Sequence, residues 1–92
     1  MPTVNVRLYT SLKEKVGTDR MQVQGDNVAQ ALARVAESLD AETRATLFAK
    51  DGRVLSRFTL CLNTTLLDPR KVDGVPAAEG DVLHIMPPIT GG

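Results

Sequence analysis

The 92-residue chain has no tryptophan, one tyrosine and two phenylalanines, so aromatic residues make up only 3% of it. So few aromatic rings argue against the stacking platforms that hold single-stranded nucleic acid. Charge of one sign is also missing: eleven Lys and Arg balance eleven Asp and Glu, for a formal net charge of zero. Without a basic excess, neither nucleic acid nor an anionic membrane is an expected partner. The single cysteine, Cys61, excludes an intramolecular disulfide, whereas small secreted domains commonly carry several. The opening Met1-Pro2-Thr3-Val4-Asn5 has neither the basic n-region nor the apolar h-region of a signal peptide. No apolar run approaches the length of a membrane span. A reducing cytoplasm is the expected compartment.

Chemical equipment is sparse as well. One histidine, His84, and one cysteine cannot build a metal site of the usual His/Cys type, so no metal is expected. The chain has no P-loop, no GxGxxG, no HExxH and no CxxC segment. Nothing marks a nucleophile elbow that His84 could serve. At this length about 64% of the unfolded surface can be buried, enough for one modest core. The expectation is a single small domain that is not an enzyme.

What the chain does have is periodicity. Val4, Val6 and Leu8 alternate with Asn5, Arg7 and Tyr9, predicting a strand with one buried face. Ser11 and Glu14 have capping-box spacing, predicting a short helix with Ser11 as N-cap and Gly17 just past its end. Met21-Gln22-Val23-Gln24 alternates again and can return as the second strand of a hairpin. Asn27 and Gln30 repeat the capping-box spacing. Val28, Ala31, Leu32, Val35, Ala36 and Leu39 then fall on one face of a three-turn helix, with Gln30, Arg34 and Glu37 outside.

Residues 40–49 read as a shorter helix anchored by Leu47 and Phe48, followed by a turn at Asp51-Gly52. Phe58, Leu60 and Leu62 alternate with Thr59 and Cys61, giving a third strand. Asn63-Thr64-Thr65 turns into a short segment at Leu66-Leu67. Asp68-Pro69 and Gly74-Val75-Pro76 punctuate loops. The last strand, residues 82–86, ends at Pro87-Pro88, neither of which has an N–H for a sheet ladder. Strands, a crossover helix and more strands imply an α+β fold, a mixed sheet with one main helix packed across it.

The final eleven residues hold no Asp, Glu, Lys or Arg, and the sequence ends Pro87-Pro88-Ile89-Thr90-Gly91-Gly92. A double proline favours an extended direction that carries a tail away from the body. Two glycines let the backbone enter a channel too narrow for side chains. By chance a terminal Gly-Gly arises about once in 200 chains at average glycine usage. Here it coincides with a strand end and a double proline.

That ending, with Gly80-Asp81-Val82 before the last strand, resembles the MoaD/ThiS family of ubiquitin-like sulfur carriers. The segment Tyr9-Thr10-Ser11-Leu12-Lys13-Glu14-Lys15-Val16-Gly17 is similar to the stretch after the first strand in MoaD proteins. Residues 27–39 match the family helix. The likeness omits roughly residues 40–57, which are longer than in the shortest members, although the CysO type also has extra residues there. Met86 stands where many MoaD proteins have Phe, and Asn63-Thr64-Thr65 lacks the common Asn-Gly turn.

The resemblance implies a β-grasp domain over residues 1–86 and an extended flexible tail over residues 87–92. It implies that a ubiquitin-activating-type enzyme (MoeB/ThiF-like) uses Mg-ATP to adenylate Gly92, and that a sulfur donor converts it to a thiocarboxylate. In that scheme Pro88, Ile89, Thr90 and Gly91 fit the partner's channel. ATP and magnesium are used by the partner, and this chain binds no cofactor. The foremost acceptor is the molybdopterin synthase large subunit (MoaE-like). Thiamine-thiazole, cysteine and tungsten-cofactor pathways are alternatives. A protein modifier forming isopeptide bonds and a non-covalent interaction module are two further readings.

Alternation places Tyr9, Cys61, His84 and Met86 on the side of the sheet away from its core residues, as a docking face. Arg7 shares that side and can meet an acidic rim. Cys61 as a reactive thiol and His84 as a general acid or base are weaker readings, because nothing in the sequence supplies an orienting partner.

Overall fold

The structure, a computed structural model, describes residues 1–88. Strand β1 spans Thr3–Leu8 and is followed by helix α1, Ser11–Val16. Strand β2, Arg20–Gln24, returns antiparallel to β1. Helices α2, Val28–Glu37, and α3, Ala41–Leu47, come next. Strands β3, Thr59–Leu62, and β4, Thr65–Leu67, form a hairpin, and β5, Val82–Met86, closes the order. The five strands make one mixed sheet in the order β2-β1-β5-β3-β4. This is the β-grasp arrangement: β5 lies in the middle, parallel to β1 and antiparallel to β3.

The alternating strands bury one face. Val4, Val6 and Leu8, then Leu60, Leu83 and Ile85, are all at most 2% exposed. The helix stripe meets them: Val28, Ala31, Leu32 and Val35 are buried, while Gln30, Arg34 and Glu37 are exposed. Helix α2 ends at Glu37, earlier than the pattern through Leu39 implied. The Ser38 hydroxyl donates to the Val35 carbonyl at 2.7 Å, and Leu39 still packs into the core beyond the helix end. Leu62, expected among the core residues of β3, is only half-buried.

At the start of α2, the Asn27 side chain accepts from the Gln30 N–H at 2.8 Å, as the spacing predicts. The reciprocal arm reaches one residue further back, where Gln30 Oε1 accepts from the Asp26 N–H at 2.8 Å. The chain enters this cap so tightly that a Cβ on Gly25 would sit 2.8 Å from the Ala31 backbone nitrogen. Helix α3 is capped by Asp40, which accepts from the Thr43 N–H at 2.7 Å. That hydrogen bond holds the Asp40 carboxyl below its ordinary pKa. Leu47 and Phe48 anchor α3 as expected, and Phe48 bridges to Val54 across the turn at Asp51-Gly52. The segment after β4, expected as loop, includes one 3-10 turn at Pro69–Lys71.

The start of α1 departs from the sequence reading. Ser11 is not the N-cap; it is the first helical residue, and Thr10 occupies the cap without any side-chain capping bond. Leu12 is 1% exposed, and burying it sets the phase of the helix. The turn out of β1 therefore has to be completed by Thr10. Thr10 takes φ 49° and ψ −121°, a region that suits glycine and is costly for a β-branched residue. Such strain is worth roughly 1–3 kcal/mol, against about 0.5–1 kcal/mol for the added chain freedom of a glycine. Thr10→Gly is therefore expected to stabilise the domain by about 1 kcal/mol, raising the thermal midpoint by about 4–8 °C. A lower midpoint in a circular-dichroism melt would contradict this account. Gly17 ends the helix as anticipated, at φ 92° with its N–H on the Lys13 carbonyl at 2.9 Å.

Candidate functional site

Two regions carry the candidate residues: the open face of the sheet and the end of β5. On β5, Leu83 and Ile85 point into the core, so Val82, His84 and Met86 point out. On β3 the same logic buries Leu60 and leaves Thr59 and Cys61 outside. Arg7 pairs in register with His84, His84 with Cys61, and Cys61 with Leu66. The result is a row of four side chains across β1, β5, β3 and β4. Tyr9, Cys61, His84 and Met86 all lie half-buried on this open side, as alternation predicts.

Two features of the face go beyond the sequence reading. The Tyr9 hydroxyl lies 2.7 Å from His84 Nδ1, and the two rings stack with centroids 5.8 Å apart. His84 therefore does have an orienting partner, 75 residues away in the chain. A tyrosine hydroxyl can donate to the neutral ring or accept from the protonated one, so the bond survives either charge state. Leu66, the other omission, is 70% exposed and extends the row at the sheet edge. Its signal was available: in a two-leucine strand, alternation must turn one side chain outward.

Arg7 lies between Arg20 and His84 in the strand register. Its Nε is buried without a hydrogen-bond partner among the described residues. Cys61 is half-buried, and its place beside His84 follows from register alone. Among the described residues no group of three or more His, Cys, Asp or Glu is arranged to hold a metal ion. No helix among them is long and apolar enough to cross a membrane.

The end of β5 is fixed from its other side. The Ala78 N–H donates to Asp81 Oδ2 at 2.8 Å, and Asn63 Nδ2 donates to Asp81 Oδ1 at 3.1 Å. Asn63 Oδ1 in turn accepts from the Val82 N–H at 3.0 Å. Asp81 and Asn63 thus tie the entry of β5 to the β3–β4 hairpin. Asn63 adopts φ 57°, a conformation asparagine tolerates well, so this hairpin closes without the Asn-Gly pair. Strand β5 then runs through the sheet centre to Met86, where Pro87 and Pro88 follow. Of the channel residues, Pro88 is exposed. Ile89, Thr90, Gly91 and Gly92 lie outside the described residues.

A larger groove, about 550 Å³, lies between β2 and α2 and includes Thr3, Gln24 and Arg34. It borders the start of β1, at the opposite end of that strand from the residues beside Pro87, so it has no part in presenting the tail.

The ThiS family model matches residues 6–92. A search of curated proteins finds no match. Among solved structures, the chain is similar to small archaeal modifier protein 1 from Methanosarcina acetivorans, at 22% identity and a TM-score of 0.79, covering 100% of this chain and 98% of that one. It is similar to a chain of the BexX/CysO complex from Amycolatopsis orientalis, at 25% identity and a TM-score of 0.74, covering 97% and 99%. A protein from Pyrococcus furiosus, provisionally described as molybdopterin converting factor subunit 1, aligns at 14% identity with a TM-score of 0.66, covering 97% and 100%.

Proposed function

We propose the function of this chain from one premise: it belongs to the ThiS family, whose model runs from residue 6 through the final Gly91-Gly92. The reading is a sulfur carrier. The observation that carries it is the match extending through the last residue, so that the diglycine ending is part of the family pattern and no appendage to it.

The chemistry follows from what a carboxylate lacks. It is a poor electrophile, because attack at its carbon would have to expel oxide. In the proposed cycle a partner transfers AMP from Mg-ATP to the Gly92 carboxylate and releases pyrophosphate. A sulfide sulfur then attacks the acyl carbon, a C–S bond forms, and the C–O bond to AMP breaks. With a persulfide donor, a thiol must next reduce the acyl disulfide. The resulting thiocarboxylate sulfur is nucleophilic and passes to an acceptor. Gly92 carries the sulfur, Gly91 allows close approach, and Pro88, Ile89 and Thr90 fit the channel. The catalytic groups belong to the partners.

The open face with Tyr9, Cys61, His84 and Met86 docks those partners in this reading. The Tyr9–His84 hydrogen bond supports that role, because a face whose side chains are already ordered loses less entropy on association. The foremost acceptor remains the molybdopterin synthase large subunit, on the resemblance of residues 9–17 to MoaD proteins. A second acceptor reading has its own support. Residues 40–57, the stretch that CysO-type carriers also extend, are built here into α3 and the Phe48–Val54 bridge. The structural likeness to the CysO complex covers nearly the whole chain. That reading sends the sulfur to a different biosynthetic enzyme.

Intact mass spectrometry of the chain purified from its native host tests the proposal. A species heavier by the difference between sulfur and oxygen, formed with the cognate adenylating enzyme, ATP and a sulfur donor, is the expected product. Only the free carboxylate under those conditions would reject covalent carriage. High-mass conjugates that vanish when Gly92 is removed would instead identify a protein modifier.

A further inference from the structure

The root of the tail is one wall of a groove of about 390 Å³ at the end of the sheet where β5 finishes. Thr10 and Lys15 line it from the α1 side, Arg57 and Phe58 from the approach to β3, and Pro87 and Pro88 close it. The lining holds two cations and no Asp or Glu. In a chain with zero net charge, that segregation is local and directional.

Several other cations of the chain are matched by carboxylates. Arg53 pairs with Asp73 at 2.6 Å, Arg70 with Asp68 at 3.3 Å and Arg34 with Glu37 at 3.2 Å. Among the described residues neither Lys15 nor Arg57 has such a partner. The Arg57 guanidinium instead lies 5.3 Å from the centroid of the Phe58 ring. Phe58 is itself 5% exposed, so a core residue serves as the platform that steadies the charge at the groove.

We propose that this groove receives an acidic segment, carrying Asp or Glu side chains, at the rim of the channel in the adenylating partner. The inference rests on the sulfur-carrier reading and names how that partner recognises the tail root. Because Pro87 and Pro88 form the groove wall, a channel that encloses the tail beyond them brings its rim against Lys15 and Arg57. The nucleotide is a different matter. Four residues separate Pro88 from Gly92, and an extended chain covers about 3.3–3.6 Å per residue. In an extended tail the adenylated carboxylate is therefore about 13–14 Å past Pro88, which leaves the rim as the groove's neighbour. Charges at the edge of an interface act chiefly on encounter and register. Lys15 and Arg57 accordingly set affinity for the partner and take no part in the chemical step.

The test is ATP–pyrophosphate exchange by the adenylating enzyme of the same organism, measured against the concentration of the full-length carrier. Relative to wild type, K15E/R57E is expected to raise KM for the carrier about tenfold or more with kcat unchanged, since like charges juxtaposed at an interface are strongly unfavourable. The defect should shrink as salt rises and the Debye length falls from about 10 Å at 0.1 M toward 3 Å at 1 M. K15R/R57K, which keeps both charges, should retain the wild-type KM. Lys15→Glu alone alters an exposed side chain away from the Phe58 ring, so a raised KM in that variant, with an unchanged melting midpoint, separates binding from folding. An unchanged KM in K15E/R57E, or a defect of equal size at every salt concentration, overturns the inference and leaves the sulfur-carrier reading standing. Wild-type carrier that supports no exchange at all overturns both.

Discussion

Deleting Gly91 and Gly92 is expected to reduce thiocarboxylate formation more than about a hundredfold while leaving the folded domain unchanged. The shortened chain still ends in a carboxylate, on Thr90, so the loss is one of placement. Each residue spans about 3.3–3.6 Å when extended, so the acid is withdrawn by roughly 7 Å from the position of adenylation. A displacement of only 1 Å at a reacting centre can cost about a hundredfold. Thr90 also brings a branched side chain to a passage that glycine would leave clear. Stability should not respond, because every buried apolar residue of the described core lies at or before Ile85. Intact mass after incubation with the adenylating enzyme, ATP and sulfur donor reads the first effect, and a thermal melt reads the second. Thiocarboxylate on the truncated chain would mean that the terminal carboxylate is not read by position. A large fall in midpoint would mean that the diglycine belongs to the fold.

The opposite pattern is expected of Leu60→Ala. Leu60 is fully buried, and β3 is hydrogen-bonded on both sides, with Leu60 opposite Leu67 on β4 and Ile85 on β5. Removing a buried leucine side chain forfeits its transfer free energy and leaves a cavity, at a cost of about 2–5 kcal/mol. A domain of this length has roughly 5–14 kcal/mol of stability in all. A loss near 3 kcal/mol would therefore lower the thermal midpoint by about 12–24 °C. Urea titration followed by circular dichroism gives the free energy directly. A change below about 1 kcal/mol would show that the site collapses around the smaller residue. Leu66→Ala, at 70% exposure on the next strand, serves as the contrast and should scarcely move the curve.

The helix and the strand faces were legible because burial imposes a period on the residues that meet the core. Val28 through Val35 announced α2, and the alternation around Leu60 and His84 placed Cys61 and His84 on the open side. What could not be read locally depends on partners distant in sequence. Tyr9 and His84 meet only because β1 and β5 are parallel with Arg7 beside His84. The groove at the tail root joins Thr10, Arg57 and Pro88, which no window of sequence contains. The error at Ser11 has the same origin. Residue type favours Ser11 as a cap, but burial of Leu12 sets the helix phase and leaves Thr10 in a strained turn. Asn63 shows the converse. Its departure from an Asn-Gly turn looked like a local irregularity, yet its side chain ties two elements together across 18 and 19 residues.

The placement of β5 has a mechanical consequence. The strand that continues into the tail is central, hydrogen-bonded to β1 on one side and to β3 on the other. A pull along the tail loads both ladders in shear, so several bonds resist together instead of opening one at a time as they would if an edge strand were peeled away. Asp81 and Asn63 anchor the far end of the same strand. A force applied at the C-terminal end of β5 is therefore spread across the sheet.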